Sequence, residues 1–280
     1  MKNILVPINF SFNSYDAIDY AIKFFKEEEC HFFFLNTFTI DIDGLNTIEL
    51  LQADEDWFEN PKNESEKNLG FVIQKYFSKN LGKNHHFSAI SDQTNLIEGI
   101  KKVIKEIEID LVVLPGKKDT NDRNEEYSKN TKRIIENITE CPVMIIPSSA
   151  KLHKQPEFVL VSNFEEKLPK VELKNWYDLV KIANGTIKIV TLSDKHNLTP
   201  LQKKNLNGVR LEIETYTKNP IVIEYVETIQ DFKDLADNYS NYIICLIDKK
   251  PSIWRMLSLN KSRITKLGLL SNSPLIALHP

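Results

Sequence analysis

The residues with the most chemical promise follow the strand-like run IDLVVLPG. Gly116 ends that run, a polar stretch follows, and Ser128, Lys129 and Asn130 lead into a helix-like segment. A strand that ends beside a helix start suits an anion, because the first helical N–H groups lack partners and carry partial positive charge. A phosphate loop also needs glycine, which reaches backbone angles closed to other residues and lets N–H groups approach oxygens. Glycine is scarce here, at 8 residues in the whole chain. Lys117, Lys118, Arg123 and Lys129 stand against Asp119, Asp122, Glu125 and Glu126, so the stretch is not uniformly hostile to an anion. Two other strand-like runs end in polar residues: ILVPINFS in Pro7, Asn9 and Ser11, and CHFFFLNT in Thr37.

Other chemistry-bearing residues have plainer readings. His85 and His86 are adjacent on a strand-like run, so their side chains point to opposite faces and make poor co-ligands. Asp54, Asp56 and Glu59 lack the glycine turn and terminal glutamate of a calcium loop. The cysteines Cys30, Cys141 and Cys245 are far apart in apolar settings, without metal-ligand spacing, and read as buried reduced thiols. Lys249, Lys250, Arg255, Lys261 and Arg263 form a modest basic cluster, read as a solvated loop with a weak anion site as the alternative. Trp254, Met256 and Leu257 beside it read as helix packing. No nucleophile elbow, Ser-His-Asp order or paired carboxylates emerge, so no catalytic residue and no metal ligand is assigned.

The elements that must position these residues alternate. NILVPINF is a buried strand, with Ser11 and Asn13 available to cap the helix of Ala17, Ile18, Ala21 and Ile22. CHFFFLNTF is the next strand. An acidic stretch over 39–64 reads as a partly helical surface excursion, and a helix over Glu66–Leu81 follows. HHFSAIS, the amphipathic helix Asn95–Glu106, IDLVVLPG, a helix that includes Thr131–Thr139 and CPVMIIP complete the unit. Then the pattern restarts: FVLVSNF echoes ILVPINF, GTIKIVTL echoes HFFFLNTF, a strand over Ile221–Glu224 follows, and Thr228–Tyr239 echoes Asn95–Glu106. The alternation predicts an α/β chain of two like domains, each a parallel sheet with helices on both faces. The boundaries fall at 1–148, a polar linker 149–156 and 157–280. A composition of 41% hydrophobic and 27% charged residues suits two real cores. A net charge of -3 gives no basis for nucleic-acid binding. The absence of a signal-like or membrane-length apolar run, together with the reduced thiols, leads to the expectation of a cytoplasmic protein without a membrane partner.

These motifs resemble a tandem universal stress protein, which implies two flavodoxin-like or Rossmann-like domains, each a mostly parallel five-stranded sheet with helices on both faces. The likeness is closest in ILVPINFS, in FSAISDQTNLIEGIKKVIKEIEIDLVVLPG and in SKNTKRIIENITECPVMIIP; in the second half it rests on the order of elements and NSPLIALHP. The resemblance implies a signature Pro-x-Asp-x-Ser at the first strand end, here Pro7-Ile8-Asn9-Phe10-Ser11 with the acid replaced by amide. It also implies Gly-x2-Gly-x9-Gly-Ser/Thr after the fourth strand. Gly116 keeps the first position, Asp119 replaces the second glycine, and Lys129-Asn130, or Ser128-Lys129 with a shift of one, replaces the last pair. Asn130 is then available to cap the helix. The same count in the second half places Asp248, Pro251 and Lys261-Ser262, a worse set, since proline has no N–H to give.

The resemblance therefore implies a regulatory or interaction protein of the stress response, not an enzyme. Its candidate nucleotide residues, Pro7, Asn9, Ser11, Thr37, Gly116, Asp119, Ser128, Lys129 and Asn130, are weak or vestigial, and no cofactor is expected. The alternative is ATP or AMP bound in the first domain only. An unknown protein partner is expected, with the two domains paired within the chain through their last strands and room for a further homodimer.

Overall fold

A computed structural model describes residues 1–40, 55–78, 84–116, 127–193, 196–217, 220–247, 267–268, 270 and 272–278. In the first half, β1 (Lys2–Pro7), α1 (Phe12–Phe24), β2 (Cys30–Thr37), α2 (Glu55–Ser78), β3 (His85–Asp92), α3 (Leu96–Ile107), β4 (Leu111–Pro115), α4 (Lys129–Asn137) and β5 (Val143–Ile146) follow one another. The second half runs β6 (Glu157–Ser162), α5 (Lys170–Ile182), β7 (Thr186–Thr191), α6 (Pro200–Thr217), β8 (Val222–Tyr225), α7 (Ile229–Asn238), β9 (Tyr242–Ile247) and β10 (Leu275–Leu278).

The described strands form one ten-stranded sheet in the order β3-β2-β1-β4-β5-β10-β9-β6-β7-β8. Every pairing within a half is parallel. The halves meet where β5 and β10 run antiparallel, with Ile145 opposite Leu275, Met144 opposite Ile276 and Val143 opposite Ala277. Alternation along the strands feeds two cores. Ile4 and Val6 join α1, α2, α5 and α6 on one face; Leu5, Val112 and Leu114 join α3, α4 and α7 on the other. Helices thus cover both faces, as a buried parallel sheet requires.

Two local readings are corrected. The helix expected over Glu66–Leu81 begins at Glu55 and ends at Ser78, running through Pro61, and the acidic stretch is partly helical as expected; 41–54 lie outside the described residues. Thr131–Thr139, expected as part of a helix, falls in one that begins at Lys129 after the Ser128 cap and ends at Asn137. Ser11 occupies the N-cap position of α1, yet its hydroxyl makes no cap bond, and Asn13 lies inside the helix. All three cysteines are free and buried. Burial, the main cause, pushes the Cys30 and Cys141 thiols up to about 12, so they stay protonated and unreactive.

Candidate nucleotide cleft

The C-terminal ends of β1, β2 and β4 open onto a cleft of about 340 Å³ closed on one side by the start of α4. This is the switch point of the first half, where β1 has neighbours on both sides, and ligands of open α/β sheets lie there. Pro7, Asn9, Ser11, Thr37, Ser128, Lys129 and Asn130 all line it. Seven of the nine residues singled out from sequence are therefore neighbours in space. Gly116 is not among the lining residues, and Asp119 lies outside the described ones.

The chain turns sharply at Phe10, whose φ of 57° is left-handed, a strained conformation for a bulky residue. That turn brings Ser11 back over Asn9. The Asn9 side-chain oxygen accepts from the Ser11 hydroxyl at 2.7 Å, the Ser14 hydroxyl at 2.8 Å and the Ser11 N–H at 3.3 Å. Beside it, Asn36 donates to the Ile8 carbonyl at 2.8 Å and fixes the end of β1 against β2. Sequence reasoning missed Ser14 and Asn36. The signal for Ser14 was there: it shares the buried face of α1 with Ala17, Ile18 and Ala21, where a polar side chain needs a partner.

Across the cleft, the buried ring of Tyr127 anchors the chain just before α4. Ser128 then caps that helix: its oxygen accepts from the Thr131 N–H at 3.3 Å and lies 2.9 Å from the Thr131 hydroxyl. The cap expected at Asn130 therefore sits two residues earlier, because Ser128 has the extended backbone a cap needs and Asn130 is already helical. The N–H groups of Lys129 and Asn130, at the first two helical positions, face no intrahelical acceptor. Lys129 carries the sole charge among the described lining residues, and it is exposed.

Gly116 has a packing reason for being glycine. A Cβ there would stand 3.1 Å from the Pro147 nitrogen and 3.2 Å from its Cα, where β4 and β5 end side by side. Its survival does not require a ligand. Gly99 plays a similar part in α3, since a Cβ there would come within 2.6 Å of the Thr37 methyl. The close approach of α3 seats Thr37 at the cleft wall.

The second half repeats the geometry with different chemistry. Phe164 has φ 54°, the counterpart of Phe10. Its N–H donates to the Ser162 hydroxyl at 3.0 Å, and its carbonyl accepts from Asn205 at 3.0 Å. Ile4 pairs with Leu111 where Phe158 pairs with Ile243, so Ile247 matches Pro115 and the next residue, Asp248, matches Gly116. Strand register thus reaches the same correspondence as the count along the sequence. Asp248, Pro251, Lys261 and Ser262 lie outside the described residues, as do Lys249, Lys250, Trp254, Arg255, Met256, Leu257 and Arg263.

The histidines lie away from both clefts. His85 is buried, its Nε2 lying 2.9 Å from the Phe25 carbonyl, while His86 is exposed on β3. Instead, His86 stands opposite His31 on β2, with ring centroids 6.0 Å apart. No group of three or more His, Cys, Asp or Glu that could hold a metal occurs among the described residues. No described helix is long and apolar enough to cross a membrane.

The model of the universal stress protein family matches residues 1–147. A universal stress protein from Archaeoglobus fulgidus DSM 4304 superposes with a TM-score of 0.71 at 13% identity, covering 99% of this chain and 98% of that one. A protein of unknown function from Pseudomonas aeruginosa PAO1 gives 0.61 at 9% identity, covering 100% and 93%. The cytoplasmic domain of a prokaryotic cation chloride cotransporter gives 0.56 at 12% identity, covering 99% and 94%. At such identities the structures speak to the fold, and they share it over both halves. No curated protein matches the chain by sequence. The family match spans just over half the chain, on the half that carries the Pro7–Ser11 turn and the capped α4: the chain belongs to the universal stress protein family.

Proposed function

We propose that this chain is a non-enzymatic regulatory protein of the stress response, acting in the cytoplasm through a protein partner, with nucleotide loops too degenerate for tight ATP binding. The observation that carries this reading is the self-satisfied state of the first cleft. Asn9 already accepts from Ser11 and Ser14, and Ser128 already caps α4. A site built for a triphosphate keeps donors in reserve for it; here the Ser11 and Ser14 hydroxyls already donate to Asn9. The described lining also holds no carboxylate, imidazole or thiol placed to act as base or nucleophile. Asp119 and the missing third glycine add to this from the sequence.

A second reading has its own support. The described lining of the first cleft combines a helix start, Lys129 and several hydroxyls, whereas the sequence places Asp248 and Pro251 in the second-half loop, so a small nucleotide such as AMP or ATP would enter the first half alone. Equilibrium titration with ATP, ADP and AMP separates the two. The proposal expects no saturable micromolar binding. Micromolar binding that disappears in Asn9→Ala would establish the nucleotide sensor in its place.

The acidic stretch over 39–64 is the candidate partner contact. Its helical part belongs to α2. Deleting residues 41–54 should abolish capture of the partner while leaving the thermal midpoint nearly unchanged; capture that survives the deletion would place the contact elsewhere.

A further inference from the structure

We infer that the groove between the start of α5 and the outer side of α6 is the docking surface for an amphipathic helix of a protein partner, one with leucine-like side chains on a face and carboxylates beside them. The inference rests on the reading that this chain acts through a protein partner. It names a contact in the second half, apart from the acidic stretch.

The groove has a volume of about 860 Å³, against about 340 Å³ for the first cleft. Both of its walls are described throughout, over 167–173 on one side and 201–215 on the other. Its floor is apolar, formed by the buried Leu168, Leu173 and Val209. On the α6 wall Leu201 and Leu211 remain 58% and 56% exposed. They stand roughly 15 Å apart along the helix axis, nearly three turns. Apolar side chains left open along a groove of that length suit an elongated apolar partner surface.

Gly208 lies between them on the same wall. A glycine inside a helix costs stability relative to alanine. Gly99 and Gly116 are explained by neighbours that a Cβ would strike, whereas a Cβ at Gly208 would meet nothing within 4 Å. Packing within the chain therefore gives no reason for this glycine. The missing side chain bares the α6 backbone to the groove and lets a second helix come close, since the side chains at a crossing set the distance between helix axes.

Charge selects the kind of helix. Lys167, Lys170 and Lys204 line the groove, against one described carboxylate, Glu212. Lys170 is tied to Glu212 at 2.7 Å. Lys167 and Lys204 are exposed and have no ion-pair partner among the described residues. A helix that lays its apolar face on Leu201 and Leu211 thus meets two free ammonium groups beside it, and carboxylates there complement them. Lys167, Lys204 and Asn207 stand along the rim rather than converging at one point, so an extended occupant suits the groove better than a compact ligand.

Two synthetic helices test this by fluorescence anisotropy on the full chain, each of about 18 residues, or roughly 27 Å. Both are lactam-bridged, so that they are helical before binding, and both carry a leucine face; one has glutamates beside that face and the other lysines. The acidic helix should bind saturably at about 10–100 μM in low salt. The basic helix should bind about tenfold more weakly, a span set by two exposed and screened charges. Lys167→Gln combined with Lys204→Gln should narrow that gap to about threefold or less. Gly208→Trp, which fills the groove, should abolish binding of the acidic helix. If that variant does not fold, Leu201→Ala combined with Leu211→Ala, at exposed positions, should weaken binding about tenfold. Laurate, an acyl chain with a carboxylate head, should not displace the acidic helix. No saturable binding of the acidic helix, equal or tighter binding of the basic one, full binding by the folded groove variant, or displacement by laurate would each overturn the assignment. Capture of a partner through 41–54 is a separate readout, so a groove that takes no helix leaves the partner reading standing.

Discussion

Asn9 holds three donors on a single side-chain oxygen, and this decides what its substitution does. An aspartate accepts equally well, so Asn9→Asp should keep stability within about 1 kcal/mol of the parent. Asn9→Ala leaves the buried Ser14 hydroxyl without its acceptor and should cost about 1–3 kcal/mol by urea unfolding. Equal losses in both variants would show that the amide N–H2 matters instead. Ser128→Ala should cost about 1 kcal/mol through loss of the α4 cap, and Asn130→Ala much less. The sequence showed which residue types crowd the two strand ends. It did not show that their hydrogen bonds turn inward: Ser14 was readable only as a polar residue on the buried face of α1, and Asn36 enters through the packing of β2 against β1. The competition between Ser128 and Asn130 for the cap was similarly open, since both are good capping residues and backbone geometry alone decides between them.

At the level of elements, the β2–β3 pair at one edge of the sheet carries a pH-sensitive contact. β3 borders only β2 in the sheet, and there His31 stacks on Phe33 at 4.0 Å, lies 2.7 Å from the Ser88 hydroxyl and faces His86. Burial, and then the neighbouring His86, hold the His31 imidazole below its ordinary value. A histidine whose folded value is depressed contributes stability that is fully present above the unfolded value and is lost as pH falls through it. The thermal midpoint should therefore fall as pH drops below about 6.5. His31→Gln should flatten that slope, and an unchanged slope in the variant would assign it to carboxylates elsewhere. Most elements were legible because strand runs such as NILVPINF and helix faces such as Ile97, Ile100 and Ile104 carry their own period. The start of α2 was not, because its first turns are acidic and include Pro61. Local composition there reads as loop, and the helix is held by Leu69, Val72 and Tyr76 farther along.

At the scale of the molecule, the β5–β10 pairing joins two parallel sheets into one and leaves only β3 and β8 with unpaired edges among the described strands. Ile276 lies between Met144 and Cys245 at the centre of that sheet. Amide exchange in β5 and β10 should therefore be governed by the same opening free energy as in β1 and β6. Exchange several kcal/mol easier at the seam would mean two halves that open separately. The repeat made this architecture readable, and the echo of ILVPINF in FVLVSNF is matched by a shared left-handed turn at Phe10 and Phe164. Among the described lining residues the two halves differ at single positions, Thr37 against Leu192 and Ile8 against Ser162. The central claim concerns the cleft of the first half, and calorimetric titration of nucleotide-free protein with magnesium and ATP tests it most directly. The account predicts no saturable heat in the micromolar range, in the parent or in Asn9→Ala; a micromolar isotherm in the parent that vanishes in Asn9→Ala would contradict it.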